Sequence, residues 1–199
     1  DFKESLIVTI DGGGIDYLNG DTHKKSTIDK EGSGAITTCT TFWYGVDNKI
    51  EPIKMIDKGK INLGKDWALC TSKIFGLSAG HPHGLAAGTI MAMASVGDPE
   101  KYWKDFYNCF KSHGGGDSPS WVQTINKYKE IAKISEQESF DVAAALQKAT
   151  EVIAYEIMKP IIDEYKPKNI CMAGGVCLNS VMVGKMYDWF EDINIYICP

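Results

Sequence analysis

A short apolar run, Asn169-Ile170-Cys171-Met172-Ala173, stops at Gly174-Gly175; the chain then reads as helical from Leu178 to Phe190 and β-rich again at 193–197. Strand, glycine pair, helix and strand make a βαβ unit, whose two strands must run parallel. Parallel strands need crossover helices over the sheet, so this segment fixes the class as α/β. The glycine pair lets a ligand come close to the backbone at the positive end of a helix. Asn179, just beyond, is placed to hydrogen-bond a ribose or base. A close-packed turn without a ligand is the competing reading. The segment is neither a P-loop nor a dinucleotide fingerprint, because G-K-[ST] and G-x-G-x-x-G are both absent.

The other end of the chain is β-rich. Leu6 to Ile10 predicts a strand that runs into Asp11-Gly12-Gly13-Gly14, a turn whose glycines can take φ > 0. A carboxylate at a strand end beside uncovered amides can hold a metal ion while those amides face phosphate oxygens. A tight hairpin in which Asp11 caps its own turn is the simpler alternative. Asn19-Gly20 is a hairpin signal. Residues 35–44 are dense in β-branched and aromatic side chains, and Asp47-Asn48-Lys49 offers a turn before Ile50–Ile56. A β-meander is expected over 1–62, and a helical part with the βαβ unit over 63–199.

In that second part a helix is expected over 65–77. Leu85–Val96 is rich in Ala and Met and apolar nearly all round, which predicts a buried helix. Gly97 is placed as its C-cap, with Pro99 opening a helix over 100–112. Residues 112–120, with three successive glycines, read as a mobile loop. Ser135 and Glu138 fit a capping box at the start of a long helix, which Pro160 should kink or break. Asp141 and Glu151 read as its polar stripe.

Few residues offer nucleophilic or metal chemistry elsewhere, and no catalytic residue is singled out. His81-Pro82-His83 could share a metal or be ordinary loop residues; His23 and His113 each stand alone. Ser78 sits in a G-x-S-x-G match, but the residues before it look helical, whereas the nucleophile elbow must follow a strand. The six cysteines form no C-x-x-C pair, which argues against a zinc site or a disulfide framework and for a cytoplasmic protein. A net charge of -5, with no basic cluster, sets nucleic-acid partners aside. No apolar run approaches the roughly 18 residues of a membrane helix.

Taken in order, these motifs resemble the carbamoyltransferases of the nodulation and antibiotic-tailoring type. Their core is similar to the threonylcarbamoyl-transferase proteins of the actin/Hsp70/sugar-kinase superfamily, a ribonuclease H-like architecture. The resemblance rests on Thr9-Ile10-Asp11-Gly12-Gly13-Gly14, on Gly88 to Gly97, on Gln147 with the long helix, and above all on Asn169 to Ser180. The last stretch reads like the family's L-x-L-A-G-G-V-A-L-N-S.

The resemblance implies an ATP-type nucleotide held between two α/β halves. It also implies transfer of carbamoyl from carbamoyl phosphate, through carbamoyl-adenylate, to a hydroxyl on a small acceptor. Asp11 would bind a divalent metal, iron or magnesium. Gly12, Gly13 and Gly14 would approach the phosphates, and Gly174, Gly175 and Asn179 the nucleotide. A His-His-x-x-His-Ala motif is expected upstream of Asp11 and an Asp-Gly pair beyond the last strand. The chain is therefore expected to be an internal piece of a longer protein, incomplete in fold, with the remaining domains of that protein as partners. Thr89 stands where the family has Lys, which keeps open a non-catalytic nucleotide-binding module. A threonylcarbamoyl-transferase or a sugar-kinase relative would carry the same motifs.

Overall fold

The computed structural model describes residues 2–17, 35–57, 61–77, 86–112 and 118–198. Asn19-Gly20, His23, Ser78, His81, Pro82, His83, His113 and the run of three glycines that ends at Gly116 lie outside them. Three strands, β1 (Glu4–Tyr17), β2 (Ala35–Val46) and β3 (Lys49–Asp57), form an antiparallel meander. Further along the chain, β4 (Asn169–Ala173) pairs parallel with β1, and β5 (Asn194–Ile197) pairs parallel with β4. The result is one mixed five-stranded sheet in the order β3-β2-β1-β4-β5, an α/β fold. Strands from 1–62 and from 63–199 thus share a single sheet.

Alternation along the strands sets the covered face. Leu6, Val8, Ile10, Phe42, Ile170 and Met172 are fully buried, and they meet Trp67, Ile90, Phe106, Trp121, Ile153 and Met186, one from each helix, in a single core. Those helices are α1 (Leu63–Lys73), α2 (Ala87–Ala94), α3 (Trp103–Ser112), α4 (Pro119–Ile131), α5 (Glu136–Tyr165) and α6 (Ser180–Trp189). At the far edge, Pro52 sits in β3, where a strand with one open side tolerates a residue without an N–H. The β2–β3 hairpin turns at Asp47, φ 53°, as the sequence expects. Among the described residues no helix is long and apolar enough to cross a membrane.

Several expectations are corrected. Asp11-Gly12-Gly13-Gly14 does not end its strand. Ile10 pairs with Thr40 and Gly14 with Thr38, so β1 advances four positions while β2 advances two, and the ladder then resumes. Glycines absorb the irregular dihedrals of such a bulge, so the chain bends outward and returns to the same partner. The helix around Gly88–Ala94 is not buried all round: Ile90 is buried, but Gly88, Thr89 and Ala92 are exposed, because α2 meets its neighbours along one side. Ser95, not Gly97, closes α2. Gly97 is needed for proximity instead, since a Cβ there would lie 2.1 Å from the Phe140 carbonyl oxygen.

Sequence patterns alone predict no helix over 119–131, yet α4 starts there, capped by Ser118 with Pro119 in its first turn. Ser135 does cap α5, its Oγ accepting from the Glu138 amide at 3.1 Å. The Glu138 carboxylate turns away to Lys101 and Tyr102. Helix α5 continues through Pro160 to Tyr165, with Pro160 on the exposed side.

Asp141 and Glu151 are not a solvated stripe. They are 3% and 4% exposed, and each is held by partners from other segments. Asp141 accepts from the Asp98 amide at 2.9 Å, from Gln137 at 2.8 Å and from Lys101 at 3.0 Å. It ties the segment after α2 to the start of the long helix.

Candidate functional site

Strands β1 and β4 lie side by side in the sheet, and at glycines β1 bulges out of its ladder and β4 ends. The last paired residues are Thr9 and Ala173. Beyond them the Asp11 side chain bridges the two exits. Its Oδ1 accepts from the Gly12 amide at 2.6 Å and its Oδ2 from the Gly175 amide at 3.2 Å. The carboxylate is exposed, as is Gly13, where a Cβ would meet nothing within 4 Å. Two backbone turns and one carboxylate thus flank an open space where the parallel β1–β4 pairing stops. The chain leaves β1 toward β2 and leaves β4 toward β5, in opposite directions across the sheet. Such a reversal opens the crevice in which α/β proteins bind ligands.

Close packing holds both turns. Gly174 has φ +98°, and a Cβ there would lie 2.4 Å from the Ile10 carbonyl oxygen. Packing therefore requires this glycine whether or not a ligand binds. On the other side, Gly64 in the first turn of α1 brings that helix onto the bulge, since a Cβ there would lie 2.3 Å from the Gly12 nitrogen. Asn62 completes the joint. It is 1% exposed, its Nδ2 donates to the Gly12 carbonyl at 3.1 Å, and its Oδ1 caps α1 by accepting from the Lys65 amide at 3.0 Å.

After Gly175 the chain makes one turn of 3-10 helix, Gly175–Leu178, and then enters α6. Burial pushes the Cys177 thiol in that turn up to about 12, and the negative Asp11 adds to the shift. Asn179 closes the turn and caps α6, its Oδ1 accepting from the Met182 amide at 3.1 Å.

Residues 22–199 match the family described as carbamoyltransferase N-terminus. The chain belongs to that family. It is also 25% identical to nodulation protein NolO of Bradyrhizobium diazoefficiens over 202 residues, which covers 96% of this chain and 32% of NolO. A shorter similarity, 35% over 63 residues, links it to the uncharacterized protein sll1178 of Synechocystis, covering 32% of this chain and 10% of that protein. The chain thus spans about a third of the length of NolO, and its matched stretch covers about a tenth of sll1178.

In this carbamoyltransferase-family chain the residues expected from the sequence fall into two groups. Asp11, Gly12, Gly13, Gly174 and Gly175 come together at one opening, and Gly14 marks where the β1–β2 ladder resumes. Asn179 sits behind the second turn, 6% exposed and bonded to Gln147. Thr89 lies on the exposed side of α2.

Asn62 and Gly64 are not singled out by sequence patterns, although an Asn just before an apolar helical run is an N-cap signal. Among the described residues no three His, Cys, Asp or Glu side chains gather as a metal cage. Among the described residues Asp11 is the carboxylate that bonds both turns. That arrangement fits a cation carried in by phosphate groups, which needs one or two protein carboxylates, better than one held by protein ligands alone.

Proposed function

We propose that this chain forms the nucleotide-handling part of a carbamoyltransferase, in which the Asp11–Gly13 bulge and the Gly174–Gly175 turn face the phosphates of an ATP-type nucleotide. The full protein would pass carbamoyl from carbamoyl phosphate, through carbamoyl-adenylate, to a hydroxyl on a small acceptor. The observation that carries this reading is the Asp11 carboxylate spanning the amides of Gly12 and Gly175 at the mouth of the β1/β4 crevice. The sheet order, with three antiparallel strands followed by two parallel ones, also supports a ribonuclease H-like half of the actin/Hsp70/sugar-kinase type.

The proposed chemistry follows from charge. The Gly12 and Gly175 amides, which donate to Asp11, would stabilise phosphate oxygens through fixed dipoles once Asp11 turned to a cation. Asp11 would repel a bare phosphate, and so would favour a nucleotide carrying a divalent cation, magnesium or iron. When bound, such a cation supplies positive charge to the phosphates. In the transfer step the acceptor oxygen bonds to the carbamoyl carbon, the bond from that carbon to the adenylate oxygen breaks, and AMP leaves with the electron pair. The hydroxyl proton is lost to solvent or base. The chain's contribution is to hold the adenylate in place, since such chemistry depends largely on positioning.

A second reading, a nucleotide-binding module without catalysis, is favoured by Thr89 in the place of the family's Lys. Calorimetric titration of the full-length protein with ATP, with and without magnesium, tests both. Metal-dependent binding that disappears in Asp11→Ala supports the site, and turnover of carbamoyl phosphate with a hydroxyl acceptor then supports the enzyme. Binding without turnover favours the module. No binding by the folded protein defeats both readings.

A further inference from the structure

Behind the second glycine turn, α5 carries a line of buried polar groups that the proposed phosphate contacts do not use. Glu151 and Gln147 are 4% and 5% exposed and lie one helical turn apart. Gln147 Nε2 donates to Glu151 Oε1 at 2.7 Å and, more weakly, to Asn179 Oδ1 at 3.2 Å. Asn179 Nδ2 donates back to Gln147 Oε1 at 2.8 Å. On the other side of Glu151, Lys185 from α6 donates to Oε2.

Charge fixes the direction of this line. A carboxylate paired with the Lys185 ammonium accepts, so Gln147 must turn its amide nitrogen toward it and its oxygen toward Asn179. Asn179 must then present its nitrogen to Gln147, which leaves its oxygen for the Met182 amide. The oxygen of Asn179 is thereby committed inward. Its nitrogen gives one N–H to Gln147, and an amide nitrogen carries a second, which under the proposed function would donate to a ring nitrogen or a ribose oxygen.

We infer that Gln147 and Glu151 are positioning residues that act through Asn179 to hold the Gly174–Asn179 turn in its nucleotide-binding shape, an inference that rests on the proposed function. Buried polar groups are costly unless every one is paired. An apolar residue would fill the same space without setting a direction. The line therefore orients one donor at the turn, beyond packing α5 against α6.

The test is Gln147→Glu, with Mg-ATP affinity measured against pH in the full-length protein. While protonated, the introduced carboxyl can donate to Glu151 and accept from Asn179, as the glutamine does. Once ionised, it meets Glu151 as a like charge, which also raises its own pKa above the usual carboxylate range. The affinity of the variant relative to wild type is expected to fall about tenfold or more between about pH 6 and about pH 8. A flat ratio in a protein that stays folded overturns the inference.

Should Gln147→Glu unfold at the higher pH, Gln147→Met gives the same decision. It should bind Mg-ATP about tenfold more weakly, and the amides of Cys177 and Asn179, bonded to Gly174 and Val176, should exchange hydrogen faster relative to β3. Unchanged affinity and unchanged exchange overturn the inference. If wild type binds no Mg-ATP, the proposed function has failed, and the exchange comparison alone decides whether Gln147 holds the turn.

Discussion

A methyl group on Gly13 would meet no heavy atom within 4 Å, whereas one on Gly64 would lie 2.3 Å from the Gly12 nitrogen and one on Gly174 2.4 Å from the Ile10 oxygen. Side-chain volume therefore has opposite meanings within one site. Gly64→Ala and Gly174→Ala should each lower stability by about 1–3 kcal/mol or more, read as a fall in the urea midpoint at unchanged m. Gly13→Ala should leave the midpoint where it is and weaken Mg-ATP binding, because its methyl points into the space assigned to phosphate. A Gly13→Ala protein with normal affinity would remove Gly13 from the site. Asp11→Ala should also melt cooperatively, since the carboxylate is exposed and its loss opens no cavity. The glycine-rich stretch after Asp11 was legible as a break in regular strand pairing, because glycines tolerate the irregular dihedrals of a bulge. Gly64 was not legible, because its partner Gly12 lies 52 residues away and no local pattern announces a close approach.

At the level of the elements, periodicity located strands and long helices but could not say which polar groups a helix buries. Asp141 follows the same spacing as a solvent-facing acid, and only the arrival of Asp98 and Lys101 makes it interior. Burial pushes its carboxyl up, but the Asp98 amide, Gln137 and Lys101 outweigh that effect and hold it below its ordinary value. A carboxyl whose folded pKa is depressed stabilises the fold above its unfolded value of about 3.9, and that stabilisation is lost as pH falls through the folded value. The melting temperature of Asp141→Asn should therefore lie below wild type at neutral pH, and the gap should close below about pH 4. A gap that persists undiminished in acid would mean that the charge of Asp141 contributes nothing. Of the kink or break expected at Pro160, the break does not occur, since its cost depends on which side of α5 faces water. Pro160→Ala restores the missing N–H and should raise stability by about 1–3 kcal/mol. The α2 helix was misjudged because composition describes what a surface is made of and not what covers it.

For the whole molecule, sheet order matters more than any single contact. The two glycine exits are 164 residues apart in sequence, yet they share one carboxylate because β1 and β4 are adjacent and parallel. Mg-ATP should therefore slow hydrogen exchange at Gly12–Gly14 and Gly174–Gly175 together while leaving the β2–β3 hairpin unchanged. Protection confined to one of the two turns would break the shared site. The joint has a chemical consequence at Cys177, which is 1% exposed directly behind the second turn, with its thiol pushed up to about 12. A thiol so protonated and enclosed is a poor nucleophile until the turn opens. Alkylation of Cys177, timed against the exposed Cys198 in the same molecule, would then act as a stopwatch for opening of the crevice, and a ligand that clamps the two exits would slow that clock.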